Sequence, residues 1–155
     1  MKKGHPRRLL GTEPYMSRDE LQFEMHAGVV FWADEENGAL RGVMGLQPVQ
    51  DVTLSRRAYV LTASQRCGIG TRLLFHLRER TKTPILIGTW ADALWAIRFY
   101  EKNGFWLVGP EQKDRLLRRY WAVPERQMKV VSVVLADASW RELNLRHSLA
   151  AGERP

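Results

Sequence analysis

Tyr59-Val60-Leu61-Thr62-Ala63-Ser64-Gln65-Arg66-Cys67-Gly68-Ile69-Gly70-Thr71-Arg72-Leu73-Leu74 decides how the rest of the chain is read. An apolar run passes into a polar turn with two close glycines and then into apolar residues at helical spacing. That is the order of a strand, a glycine-bearing loop and a helix. The first turn of a helix leaves backbone N–H groups without internal partners, and the dipole adds positive potential there, so such a junction suits a phosphate. Gly68 and Gly70 let main chain approach a ligand with no Cβ in the way, and Arg66 adds formal positive charge beside it.

Two familiar phosphate loops fail on spacing. A Walker loop needs a wider gap between its glycines and a Lys-Ser/Thr pair after the second, where Thr71-Arg72 stands. A dinucleotide fingerprint needs a third glycine, where Leu73 stands, and an acidic residue ending a following strand. The remaining pattern, Gln65-x-x-Gly68-x-Gly70 after a strand, resembles the pyrophosphate loop of the GNAT superfamily of N-acetyltransferases, which use acetyl-coenzyme A. Alone, a Gly-x-Gly is more often an ordinary turn.

The downstream sequence strengthens it. Pro84-Ile85-Leu86-Ile87-Gly88-Thr89-Trp90 reads as a buried strand, and the following Ala96-x-x-Phe99-Tyr100-x-x-x-Gly104-Phe105 looks like the second signature of the same superfamily. Two patterns in the right order and separation reinforce each other. The resemblance covers about residues 29–136. It implies an α/β (α+β) fold of the GNAT acyl-CoA N-acyltransferase type, with a mixed, mostly antiparallel sheet splayed in the middle and flanked by helices.

Composition sets the outer bounds. With 155 residues, 45% hydrophobic and 26% charged, the chain is read as one globular domain with no apolar run of membrane-span length. The organisation expected is a flexible arm at 1–16, a single acetyltransferase domain at 17–140 and a tail at 141–155. One cysteine, Cys67, excludes an internal disulfide and fits a cytoplasmic setting, and the basic start has no apolar core of a secretory signal. His5, His26, His76 and His147 are scattered without ligand spacing, so no metal is expected. The net charge of +7 is dispersed, and is read as an arginine-rich background rather than a nucleic-acid surface.

Around the central stretch, Ser17-x-x-Glu20 is a capping box opening a short helix with Leu21, Phe23 and Met25 as its apolar residues, ended by Gly28. Superfamily members usually place a strand and a longer helical region there. Residues 29–34 and 39–46 form a hairpin through Asn37-Gly38, and 51–61 a third strand. Gly42 and Gly45 mark a bulge or a close approach. Ile69, Leu73, Leu74 and Leu77 give the next helix its buried face. In the second signature Ala93, Ala96, Ile97 and Tyr100 share a face, and Asn103-Gly104 stops the helix. Gly109-Pro110-Glu111 opens a short helix presenting Leu116, Leu117 and Tyr120 and closing before Pro124. Residues 127–136 are the last strand, followed beyond Trp140 by a helical turn or frayed tail.

The resemblance assigns roles. Pyrophosphate binding falls on Gln65, Arg66, Cys67, Gly68, Ile69, Gly70 and Thr71, through main-chain N–H groups. Val60, at the end of a splayed strand, would bond the pantetheine arm through its main chain, and is equally a core valine. Tyr100 matches the tyrosine that protonates the departing thiolate. A phenol with a pKa near 10 stays protonated at neutral pH, and a tyrosine packed in the core is the alternative. Ala93 stands where the family often has Asn. The base that deprotonates the amine is open among Glu24, Asp92 and water-relayed main chain. Trp32, Tyr59, Trp90, Trp106 and Tyr120 are aromatic candidates for an acceptor pocket, with Trp90 preferred, and Arg115, Arg118 and Arg119 a solvated face. The expected function is acetyl transfer to a primary amine of a small molecule or peptide, with a homodimer admitted. A coenzyme A-binding sensor without turnover and an RNA-directed acetyltransferase are the alternatives.

Overall fold

Asn37 and Gly38 both take positive φ, 52° and 78°, and reverse the chain between two strands. Those strands, β1 (Val30–Glu36) and β2 (Ala39–Val49), pair antiparallel with Val30 opposite Leu46 and Glu36 opposite Ala39. The register shifts between Asp34 and Glu35, across from Gly42, so the expected irregularity is present. The computed structural model describes residues 17–60, 68–121, 132–143 and 152.

Ahead of the hairpin lies α1 (Arg18–His26), opened by the predicted capping box: Ser17 Oγ accepts from the Glu20 N–H at 3.1 Å, and Glu20 Oε2 accepts from the Ser17 N–H at 2.8 Å. Its buried face differs from the expectation. Leu21 and Glu24 are buried, whereas Phe23 is 75% exposed and Met25 is also exposed. The reason is an ion pair: Glu24 Oε1 lies 3.7 Å from Arg56 Nη2, which compensates a carboxylate one turn from Leu21.

Strand β3 (Val52–Val60) follows, then α2 (Ile69–Arg80), whose Ile69, Leu73, Leu74 and Leu77 are buried as the spacing predicts. Strand β4 (Ile85–Trp90) leads to α3 (Leu94–Lys102), with Ala96, Ile97 and Tyr100 buried. Ala93 is the residue before the helix, not part of it, with φ −79° and ψ 61°. After β5 (Phe105–Leu107), α4 (Pro110–Leu116) widens into a π-helical turn, Leu117–Trp121. The last strand, β6 (Ser132–Asp137), runs into a helical turn at 138–143. The proposed strand residues 127–131, the arm at 1–16 and the tail residues 144–151 and 153–155 lie outside the described residues.

Six strands make one sheet in the order β1-β2-β3-β4-β6-β5, with β6 inserted between β4 and β5 and antiparallel to both. The contacts divide the chain into two compact units, the first made of Met1–Pro48 and Ser55–Lys82 and the second of Val49–Leu54 and Thr83–Pro155. In the first unit Leu21, Val29, Phe31 and Val43 pack together with Leu40. In the second, Val52, Leu54, Leu86, Val134 and Ala136 of the sheet meet Leu116, Leu117, Tyr120 and Trp140. There β3 and β4 meet at their starts: the Thr53 N–H donates to the Pro84 carbonyl at 2.8 Å, and the Thr53 and Thr83 hydroxyls lie 2.7 Å apart.

Candidate active site

In the first unit the feature of interest is the start of α2. Gly68 caps it in the left-handed region, φ 74°, without a side-chain hydrogen bond to the helix N–H groups, and no acidic residue occupies the first turn. A Cβ at Gly68 would meet nothing within 4 Å among the described residues. Ile69 is buried and anchors the turn, Gly70 is half-buried and Thr71 is exposed. An uncapped, electropositive helix start is what a diphosphate needs. Gln65, Arg66 and Cys67 lie outside the described residues. Val60, the last residue of β3, is half-buried.

One turn into α2, Arg72 Nη2 stands 3.6 Å from Asp34 Oδ2, which also takes Arg41 Nη2 at 2.7 Å. Farther along, Arg80 Nη1 donates to His76 Nδ1 at 3.0 Å and its guanidinium lies over the Trp32 ring at 5.4 Å. Accepting at Nδ1 makes His76 a neutral imidazole. Burial first, then the charge of Arg80, hold its pKa below 6.5. Trp32, edge-on to His76 at 5.2 Å, is thereby committed to this cluster. Glu24 is committed to Arg56 on the same unit.

In the second unit Tyr100 sits on the buried side of α3, 5% exposed. Its ring is edge-on to Phe99 at 5.1 Å and to Phe105 at 5.7 Å, which fixes the direction of the phenol. Trp90 ends β4 and is 66% exposed, and Asp92 is exposed in the turn that follows. That turn is closed by the Ala93 N–H on the Trp90 carbonyl at 3.0 Å and the Leu94 N–H on the Asp92 carbonyl at 2.9 Å.

The other aromatic candidates are engaged elsewhere. Trp106 lies under the Arg141 guanidinium at 5.4 Å, and Tyr120 donates to Asp51 Oδ1 at 2.7 Å. The side chain of Tyr59 lies outside the described residues. Arg115, Arg118 and Arg119 are exposed, with Arg119 3.8 Å from Asp51 and over the Tyr120 ring.

Trp121 is the residue the sequence reading missed. Its indole lies beside Gly88, an exposed position in mid-β4, with Cζ2, Cε2 and Nε1 at 3.4, 3.5 and 3.7 Å from where a Cβ would be. At these ordinary contact distances a methyl on residue 88 would also fit beside the ring, so the glycine gave no signal of it. Among the described residues no cluster of three or more His, Cys, Asp or Glu could hold a metal ion, and no helix is long and apolar enough to cross a membrane.

Comparison with known proteins accords with this arrangement. In structure the chain is similar to a GNAT family acetyltransferase from Elizabethkingia anophelis with acetyl-CoA bound, at 20% identity over 78% of this chain and 82% of that one, TM-score 0.58. It is also similar to the ribosomal-protein-S18-alanine N-acetyltransferase from Escherichia coli, at 21% identity over 81% and 78%, TM-score 0.57. The PaiA N-acetyltransferase from Thermoplasma acidophilum, in complex with coenzyme A, matches at 14% identity over 77% of this chain, TM-score 0.56. The chain spans only 66% of that protein's length. No curated protein sequence matches the chain. Residues 26–106 match the acetyltransferase (GNAT) domain family. Holding the glycine-opened α2 and the Tyr100 helix within that match, the chain belongs to the GNAT acetyltransferase family.

Proposed function

We propose that the chain is an acetyl-coenzyme A-dependent N-acetyltransferase that moves the acetyl group directly to a primary amine of a small molecule or peptide. The observation that carries this reading is the start of α2: a left-handed Gly68, no side-chain cap, no acidic residue in the first turn and, among the described residues, no atom within 4 Å of where a Cβ would stand. These features fit a diphosphate, and the amides of Gln65, Arg66, Cys67, Gly68, Ile69, Gly70 and Thr71 are assigned to it. Acetyl-coenzyme A, when bound, supplies a thioester whose acyl carbon is open to a nucleophile.

The chain's own residues do the rest. The Val60 main chain orients the pantetheine arm. Tyr100 Oη gives its proton to the leaving sulfur as the acyl carbon's bond to nitrogen forms and its bond to sulfur breaks. The amine must lose one proton in the same exchange, and the sulfur gains one. Of the two named carboxylates, Asp92 is assigned to the acceptor side, supported by its exposed side chain, whereas Glu24 is buried beside Arg56. A cytoplasmic setting belongs to this reading, as does a homodimer.

Two measurements on the full chain test it. Calorimetry with coenzyme A should give saturable binding, and mixing with acetyl-coenzyme A and an amine panel should release free thiol in step with acetylated amine. Binding without release for every amine would make the chain a coenzyme A-binding module, and no binding would remove the proposal.

A further inference from the structure

The face of β4 that α4 covers has a second use. Successive residues on one strand face alternate, so Leu86, Gly88 and Trp90 lie on the same side. Leu86 belongs to the core with Leu116, Leu117 and Tyr120, and Trp121 packs against that cluster. Gly88 lies beneath the Trp121 indole. Trp90 is the next residue on that face, and nothing of the core covers it: it is among the most exposed large apolar side chains of the second unit. The face therefore runs from packed core, through an indole laid on the strand, to an open indole. The π turn that ends α4 makes this arrangement, since its wider winding turns Tyr120 inward to Asp51 and leaves Trp121 on β4.

Charge narrows what such a face takes. Residues 84–97 carry a single charge, Asp92, within a chain of net charge +7. Arg119, nearest in sequence to Trp121 among the basic residues, is held at Asp51 and over the Tyr120 ring. An exposed carboxylate two residues beyond an exposed indole favours a cation carried on an apolar body, since indole faces attract cations and lose water to apolar surface. A polyamine would bring several charges to one carboxylate and leave the indoles wet. We propose that Trp90 and Trp121, with Asp92, form the acceptor-recognition face and select a monoamine with a planar apolar body. This rests on the acetyltransferase reading above and names its substrate class.

The test separates the two. Phenethylamine, butylamine, spermidine and a short peptide with a free N-terminus are titrated against the full chain following tryptophan fluorescence without coenzyme A, and these together with tryptamine are followed by thiol release with acetyl-coenzyme A. Phenethylamine should quench saturably, and the KM of phenethylamine and of tryptamine should be about tenfold or more below that of butylamine. Trp90→Ala should raise the phenethylamine KM about tenfold and change that of butylamine less than about twofold. Trp90 is exposed, so this variant keeps the fold, and an unchanged coenzyme A affinity verifies that. Asp92→Asn should raise the KM of every amine. Preference for spermidine or the peptide, or equal effects of Trp90→Ala on all amines, overturns the inference while leaving acetyl transfer intact. Absence of saturable quenching by phenethylamine overturns it whether or not thiol is released. Loss of coenzyme A binding in the unmodified chain would instead sink the parent reading.

Discussion

Tyr120 Oη donates to Asp51 Oδ1 at 2.7 Å, joining the π turn to the β2–β3 connection across 69 residues of sequence. Burial, and then the hydrogen bond and charge of Asp51, push the phenol up to about 12. Because the folded value lies above the unfolded one, this stabilisation is complete below about pH 10 and disappears as pH rises through about 12. Tyr120→Phe should lower the unfolding free energy by about 2 kcal/mol near neutrality, the range for a hydrogen bond to a charged group. The gap between the two proteins in urea denaturation should then close over that alkaline window. A gap that persists unchanged above it would show that the bond is not the source.

Gly45 in β2 is bounded on three sides: a Cβ there would lie 2.6 Å from the Arg56 carbonyl oxygen and 2.9 Å from both Phe31 Cε1 and Val29 Cγ1. The carbonyl belongs to a sheet strand and cannot retreat without disturbing its ladder. Gly45→Ala should therefore cost about 1–3 kcal/mol as overpacking. The urea midpoint should drop with little change in slope. An alanine variant as stable as the parent would mean the strands part more easily than these distances imply.

What the sequence made legible was local. The capping box at Ser17 and Glu20, the positive-φ pair Asn37-Gly38 and the Ile69-Leu73-Leu74-Leu77 face each depend on residues within a turn or two of one another, and each is present. Gly45 signalled that something comes close without saying what. The misses depend on partners far along the chain. Glu24 reads as a solvated helix residue until Arg56 is beside it, and Phe23 reads as core until Leu21 and Glu24 take the buried face. Trp121 acquires its position where α4 widens at Leu117, which no apolar periodicity announces. Likewise the insertion of β6 between β4 and β5 is a matter of long-range pairing.

Gly68 offers a direct probe of the helix start. Its φ of 74° costs a residue with a Cβ about 1 kcal/mol, while no atom within 4 Å would oppose the methyl itself. Gly68→Ala should thus remain folded but turn the first amides of α2 away from their present direction. Coenzyme A affinity measured by calorimetry should fall about tenfold, a loss of about 1.4 kcal/mol. Gly109, which caps α4 with φ −65° and also has open space around it, is the control, and Gly109→Ala should leave the affinity unchanged. Equal losses in both variants would indicate a general loosening, not a cradle at Gly68.

Tyr100→Phe isolates one proton. The edge-on contacts with Phe99 and Phe105 involve the ring, so phenylalanine preserves the packing of α3 on β5 and removes only the hydroxyl. If Tyr100 delivers the proton to the leaving sulfur, kcat should fall by a factor of about 100 to 10,000, the usual contribution of a positioned general acid. Coenzyme A affinity should stay within about twofold, because a group acting only as the bond breaks adds little to ground-state binding. A merely structural tyrosine predicts the opposite pattern: kcat near the parent value, with any loss appearing as a lower denaturation midpoint. The two readings of this buried phenol therefore separate by comparing turnover, affinity and stability in a single variant.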